Sequence, residues 1–341
     1  MKVWGIHMSE EVGSSPLDNH YVAIGWDKLG DLKHYAGSRE QLKDALQDTY
    51  PDIKKGAIAG NAGVLFRFVN SIQRNDIVVY PSKMDRMVNI GRVISDYGYV
   101  VNDQYGYPNQ RRIEWLGSFP RSDFSQSALY EIGAFITLFS IKRHAAEFLN
   151  KVNLATPLET IANPDDVDDD ASDVTSDDDL ATESISQQAV QTTEDFIIKQ
   201  LHSKLTGYEF EYFVAHILEC MGYKARVSSK SGDGGVDVIA HKDELGFEPP
   251  IIKVQCKKST GQNGEPDANQ LLGALGEGEY GLFVNLGSYS RPARLLERNK
   301  AKLRLIDGDE LVDLVLEHYP KLSHKYRALL PLKQIYVANL N

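Results

Sequence analysis

Two folded regions of different kinds, joined by an acidic segment, are what this sequence predicts. Residues 1–150 read as a small barrel-like α+β domain and residues 194–341 as a mixed α/β domain. Three observations carry the reading. The first region alternates short strands with Gly and Asp punctuation. The second runs helix, three strands, helix, strand, helix, strand, helix. Between them, residues 152–198 hold thirteen acidic residues and no Lys or Arg. A chain of 341 residues is also too long for one ordinary domain.

Composition narrows the function classes. With 42% hydrophobic and 25% charged residues the chain has the make-up of a globular protein, and no apolar run reaches the length of a membrane span. The opening "MKVWGIHMSEE" lacks the apolar core of a signal peptide. Cys220 and Cys256 are the only cysteines, too few for a zinc site by themselves, and they fit a reducing compartment. A cytoplasmic location and no membrane partner are expected. The net charge of −11 argues against nucleic acid until its distribution is read. Outside 152–198 the chain carries 37 basic and 35 acidic residues, so the folded regions are about neutral. Residues 151–193 are expected to be an acidic disordered linker, since "NPDDVDDDASDVTSDDDLATES" has too little apolar surface to offset ordering. A solvated spacer or an acidic mimic of DNA would both fit it.

In the first region "KVWGIHM", "YVAIGWD", "DIVVYPS", "VNIGRVISDYGYVV" and "RRIEWLGSF" read as strands, and "SREQLKDALQDTY" and "GNAGVLFRFVNSI" as helices. Trp4, Trp26, Tyr97, Tyr99 and Trp115 recur at strand positions. They are either core residues or the walls of a pocket for an extruded base. Arg111 and Arg112, just before Trp115, are placed to hold backbone phosphates.

In the second region "TTEDFIIKQLHSKL" has helical periodicity. The stretch "TGYEFEYFVAHILECMGY" gives a cleaner helix with Phe210, Phe213, Val214, Ile217, Leu218 and Met221 on one face, ended by Gly222. Glu211 lies at the edge of that stripe, either solvated or turned into a cleft. "YKARVSSK", "GVDVIAHK" and "IIKVQCKK" read as strands, the last two pairing as a hairpin across "KDELGFEPP". Strict alternation sets Asp237 with Ile239, against Val236, Val238 and Ala240. It sets Gln255 with Lys253 and Lys257, against Val254 and Cys256. A carboxylate, an amide oxygen and an ammonium thus gather on one patch. That trio suits metal-assisted phosphodiester hydrolysis: hard oxygen donors for Mg²⁺, and a lysine to orient water and offset charge on the phosphate. An ordinary exposed hairpin would carry the same residues, so the trio alone discriminates weakly. Downstream, "DANQLLGALGEGE" predicts a helix, "YGLFVNLG" a buried strand and "SRPARLLERNKAKL" a helix from near Pro292. "RLIDGDELVDLVLEHY" closes the region with a strand and a last helix.

The motifs "GYEFEYFVAHILECMGY", "SGDGGVDVIA", "VQCKK", "GLFVNLGSYSRPA" and "LIDGDELVDLV", in this order over about residues 203–320, resemble the catalytic domain of Mrr-type restriction endonucleases in the PD-(D/E)xK superfamily. The resemblance implies a restriction-endonuclease-like fold that cuts DNA with Mg²⁺, or alternatively Mn²⁺. It makes Asp237 the metal-binding aspartate and Gln255 and Lys257 the Q-x-K pair of this branch. Glu211 becomes the helix glutamate, supplying charge where an amide replaces the second carboxylate. Asp237, Gln255 and Glu211 would then hold the metal, and Asp233 is either a further ligand or a turn former.

"VWGIHM", "IGWDKLGDL", "NDIVVYPS", "IGRVISDYGY" and "RRIEWL" resemble, more loosely, a PUA-like domain of the EVE type, a class found fused to restriction nucleases as a reader of modified bases. That resemblance makes Trp26, Tyr97 and Trp115 the base-binding candidates, with Asp76 at the turn into a central strand. Together the two imply a modification-dependent, type IV-like endonuclease acting on double-stranded DNA as a homodimer. A nuclease for RNA or branched DNA, a degenerate DNA-binding protein, and an aromatic-cored oligomerisation module in place of the reader are the rival readings.

Overall fold

The computed structural model describes residues 1–133, 136–155, 178–228, 235–248 and 250–334. The described residues divide into two units: those of 1–119 and 123–192 in one, and those of 120–122 and 193–334 in the other.

The first unit is built on a seven-stranded mixed sheet. Its strands are β1 (Val3–Ile6), β2 (Tyr21–Ile24), β3 (Ile77–Pro81), β4 (Met87–Val93), β5 (Gly98–Tyr99), β6 (Asn109–Pro120) and β7 (Leu138–Ser140). They run in the order β2-β6-β4-β3-β1-β7, with β5 paired to β6. Strands β1 and β3 pair parallel, Val3 lying opposite Ile77. The expected small barrel is realised as this single sheet, whose outermost strands β2 and β7 share no pairing among the described residues. Both faces are covered, which explains why β3 is buried along its whole length. Val78 and Tyr80 enter the core under helices α1 (Arg39–Thr49) and α2 (Lys55–Asn70). Ile77 and Val79 enter the opposite core, with α3 (Gln126–Ile132) and α4 (Ala145–Lys151). Helix α2 begins at Lys55, earlier than periodicity indicates, because Gly56 and Gly60 read as breakers in the sequence yet lie inside it.

Asp76 holds the start of this sheet together. Its buried carboxylate accepts from Lys2 N at 2.8 Å, Trp4 Nε1 at 3.0 Å and Gln73 N at 3.0 Å. Those bonds tie the first strand, a core tryptophan and the turn into β3 to one side chain.

From Asp178 the chain is helical to Lys204 (α5). The linker expectation for residues 156–177 lies outside the described residues. From 178 to 193 the segment is helix, continuous with the apolar turns at Ile197 and Leu201 that bury in the second unit. Packing of that C-terminal end offsets the weak helix preference of the polar stretch before it.

The second unit contains α6 (Gly207–Cys220), β8 (Lys224–Val227), β9 (Val238–His241), β10 (Ile251–Lys257), β11 (Gln262–Asn263) and α7 (Glu265–Gly273). It continues with β12 (Glu279–Asn285), β13 (Ser288–Tyr289), α8 (Arg291–Asn299), β14 (Leu303–Ile306), α9 (Gly308–His318) and α10 (His324–Leu329). Five strands form a mixed sheet in the order β14-β12-β10-β9-β8. Strands β9 and β10 pair antiparallel, and β10, β12 and β14 run parallel. Helices α6 and α9 cover one face through Phe213, Val214, Leu218 and Val312. Helices α7 and α8 cover the other through Leu271 and Ala293 against Phe283 and Leu305. Local signals place the helix starts: Thr206 and Glu209 form a reciprocal cap on α6, and Ser290 and Asp307 cap α8 and α9. Glu209 is thereby spent on the cap, and the Thr206 amide holds its carboxyl below the usual carboxylate range.

Removing the Asp76 carboxylate leaves the Trp4 indole N–H and two backbone amides without their acceptor. Asp76→Ala is expected to lower the unfolding free energy of the first unit by about 3 kcal/mol in urea titrations.

Candidate functional site

The hairpin β9–β10 aligns the sequence trio by register. Val238 lies opposite Val254 and Ile239 opposite Lys253, so the next position sets Asp237 across from Gln255. The pairing continues past the formal end of β9: Asp237 N donates to Val254 O, and Ser228 N donates to Asp237 O, both at 2.8 Å. Val254 and Cys256 turn toward α6, leaving Gln255 and Lys257 on the face toward α7. The alternation read from the sequence therefore matches the burial of this strand pair.

Asp237 is half-buried. Its Oδ2 accepts from Cys256 N at 2.7 Å, fixing the carboxylate against the end of β10. Burial pushes its pKa above the ordinary value, and the Cys256 amide offsets part of the rise. The Cys256 thiol is pushed well up, by burial first and then by the negative charges of Asp237 and Glu211. Both carboxylates therefore act on this one side chain, Asp237 from the sheet and Glu211 from α6, which packs on the Cys256 face. Gln255 Oε1 is buried and has no hydrogen-bond donor facing it among the described residues. On the strand beside it, Gly235 has φ +89°, and a Cβ there would stand 3.1 Å from Gln255 Nε2. Only glycine combines that backbone with that approach. The glycine run thus makes room for the amide. Asp233 lies outside the described residues.

The three ammonium groups of "KVQCKK" have separate partners. Lys253 reaches Ala274 O at 2.9 Å and Glu279 at 2.7 Å. Lys258 donates to His202 O and Leu205 O, both at 2.7 Å, and closes the C-terminal end of α5. Lys257, on the face of Gln255 and at the Asp237 end of the strand, is held by Asp267 on α7, its Nζ at 2.7 Å. Asp267 escaped the sequence reading. Its one signal is position: Asp267 and Gln270 stand one turn apart on the helix after the Q-x-K strand.

A hard divalent cation fits this donor set. Asp237 offers a half-buried carboxylate that faces no cation among the described residues, and Gln255 offers an amide oxygen that meets no donor among them. Among the described residues no three His, Cys, Asp or Glu side chains cluster as a metal cage. The set is the sparse oxygen kind in which a cation keeps several waters.

The first unit distributes its candidates differently. Trp26 takes a left-handed backbone at φ 61°, ψ 45°, an outlier for a bulky residue. Tyr97 hydrogen-bonds Asp31 Oδ1 at 2.7 Å and Asn109 Oδ1 at 2.6 Å, accepts from Leu32 N at 3.0 Å, and packs edge-on to Phe68. Burial, then the Asp31 carboxylate, raises its pKa strongly. Trp115 stands six residues further along β6 from Asn109, roughly 20 Å of extended chain, so Tyr97 and Trp115 do not line one pocket. Trp115 donates to Pro16 O at 3.1 Å and leans on Tyr80 at 6.3 Å. A Cβ at Gly91 would meet its ring at 2.8 Å, so glycine there lets the indole lie across β4. Around Tyr80 the phenols of Tyr21 and Tyr107 come close enough to raise its pKa further, after burial, together with Asp85. This tyrosine cluster was missed in the sequence because its three members come from three separate segments.

Arg111 is only 3% exposed. Its guanidinium donates to Phe68 O at 2.9 Å and Val69 O at 2.8 Å, and burial lowers its pKa to about 10. It closes the C-terminal end of α2 and is not placed at the surface for phosphate. Arg112 is exposed and donates to Asn19 O at 2.7 Å.

Residues 202–315 match a family model described as restriction endonuclease, of the Mrr catalytic type, so the second unit carries a restriction-endonuclease-like domain. Residues 4–141 match a model described only as a domain of unknown function. A type IV methyl-directed restriction enzyme, EcoKMrr, of Escherichia coli strain K12 is 30% identical over 124 residues. That alignment covers 34% of this chain, and the chain spans 40% of that relative's length. Among solved structures, the MspJI restriction endonuclease in complex with a 27-mer oligonucleotide aligns at 14% identity and TM-score 0.34, over 79% of this chain and 68% of that one. The DNA modification-dependent restriction endonuclease AspBHI aligns at 12% identity and TM-score 0.33, over 86% and 72%. Among the described residues no helix is long and apolar enough to cross a membrane.

The raised pKa of Asp237 has a measurable sign. Its ionised form is less favourable in the folded chain than in the unfolded one. The penalty is therefore full above the folded pKa and vanishes as pH falls below about 4. Asp237→Asn is expected to melt a few degrees above wild type at pH 7 in chelator, the gain limited by solvent screening, and to lose that advantage in acid.

Proposed function

We infer that this chain is a modification-dependent DNA endonuclease of the type IV-like restriction kind, hydrolysing phosphodiesters with Mg²⁺. One observation carries the reading: Asp237, Gln255 and Lys257 converge on one face at one end of the sheet, with the Gln255 oxygen meeting no donor among the described residues. The family match over residues 202–315 supports the same chemistry.

Asp237 and Gln255 would hold the cation, with Glu211 adding negative charge from α6. The cation, when bound, neutralises charge on the phosphate and activates water. Lys257, oriented by Asp267, turns its ammonium toward the same phosphate and offsets the charge that develops in the transition state. The Cys256 amide keeps Asp237 in one rotamer, so the ligand is preorganised.

The first unit serves in this reading as the reader of modified double-stranded DNA. Trp115 is its base-binding residue, supported by the polar phenols beside it, whereas Trp26 follows Ile24, the partner of Asn109, and so lies toward the Tyr97 end of β6. Tyr97, its hydroxyl committed to Asp31 and Asn109, braces the fold nearby, and Arg112 is the phosphate contact. A homodimer would cut both strands.

Matched duplexes with and without cytosine modifications, incubated with Mg²⁺, test both halves. Cleavage is expected for the modified duplex only, and equal cutting of both would remove the reader role. Asp237→Ala and Lys257→Ala should each slow cleavage by about 10³-fold or more while DNA binding persists. Trp115→Ala should fold, cut, and lose the preference for modified DNA.

A further inference from the structure

Helix α7 runs back across β10, and its contacts fall in step with that strand. Asp267 holds Lys257 Nζ at 2.7 Å, and the carbonyl of Ala274, at the end of the helix, accepts from Lys253 Nζ at 2.9 Å. Gln270 lies between these two points on α7, as Gln255 lies between the two lysines on β10. One turn of helix and two residues of strand advance by similar lengths, about 5 and 7 Å, so the two glutamines meet. Their meeting place is Gly235. A Cβ built there would stand 3.1 Å from Gln255 Nε2 and 3.6 Å from Gln270 Nε2. The backbone of Gly235, at φ +89°, reserves the position for glycine and leaves the spot open.

Gln270 is not there for the core. Its neighbour Leu271 is buried in the cluster with Phe283, whereas Gln270 is exposed and makes no hydrogen bond among the described residues. Gln255 Nε2 makes none among them either. Two side-chain amides from different elements thus bring four N–H bonds to one gap, and the atoms nearest the gap include no acceptor. Donors gathered without an acceptor suit an electronegative atom from outside, and an anionic oxygen makes the stronger bonds. Position selects which oxygen. The other end of the Gln255 amide, Oε1, is the oxygen offered to the cation, so an atom held by Nε2 sits beside that cation. A carboxylate at this position would have no N–H to give.

We propose that Gln255 Nε2 and Gln270 Nε2 grip a non-bridging oxygen of the DNA backbone phosphate, Gln270 being a further substrate-contacting residue and Gly235 the residue that leaves the oxygen room. The inference rests on the reading of this site as a DNA nuclease and states how the phosphate is held there. Asp267 and Gln270 then divide α7 between them: one orients the Lys257 ammonium, the other meets the substrate. Because both donors are neutral, the grip orients the phosphate without competing with the cation for Asp237.

Equilibrium binding of the modified duplex to the full chain, read by fluorescence anisotropy in chelator, tests it without cleavage. Gln270→Ala should weaken binding by about 10-fold, a hydrogen bond to a charged oxygen being lost, with unchanged thermal melting because the side chain is exposed. Gln270→Met, which keeps the length and removes the donor, replaces it if the alanine variant melts lower. Gln270→Glu should weaken binding further, and the extra loss should shrink as salt rises, since a carboxylate then faces the phosphate. An alanine or methionine variant that binds like wild type would overturn the grip, as would a Gln270→Glu chain that binds as well as Gln270→Ala at low salt. Cleavage by Gln270→Glu at lower Mg²⁺ than wild type would also overturn it, because residue 270 would then serve the cation. The binding results need no cleavage, so a chain that binds through Gln270 but never cuts would refute the nuclease reading alone.

Discussion

The hydrogen bond from Cys256 N to Asp237 Oδ2, within the antiparallel pairing of β9 and β10, sets the geometry of everything catalytic in the second unit. It holds the one carboxylate on the trio's own strand pair against the strand that supplies the amide and the ammonium. Gly235 gives way so that Gln255 can lie close, and α7 brings Asp267 to Lys257. The arrangement concentrates unsatisfied oxygen donors in a partly dry place. That is unfavourable for the fold alone and favourable for binding a small hard cation.

Most of the second unit was legible in the sequence because its signals are local. Period-two alternation fixed which residues of "VDVIA" and "IIKVQC" share a face, and caps at Thr206, Ser290 and Asp307 mark the helix starts. Asp267 was not legible, because its partner Lys257 lies on another element and only the crossover from β10 to α7 joins them. The fate of Lys253 and Lys258 was hidden for the same reason: each answers carbonyls on a helix distant in sequence.

The first unit was harder to read. Its sheet is covered on both faces, so aromatic residues at strand positions give no clue to which are core and which are wall. Arg111 shows the limit. Beside Arg112 and before a tryptophan it looks like a phosphate contact, yet the sheet turns it inward to the open carbonyls at the end of α2. Adjacent residues on a strand face opposite ways, and the pair Arg111–Arg112 divides accordingly into a buried brace and a surface cation.

The same division occurs at Lys257 and Lys258, with a consequence for how the gene can change. A one-residue insertion or deletion within β10 would exchange the two lysines' sides, taking the ammonium from the trio and the closing cation from α5 in a single event. Lineages of this protein should therefore accept substitutions in β10 outside Gln255 and Lys257 more readily than any change in its length, whereas length variation should collect in surface loops without such a double commitment.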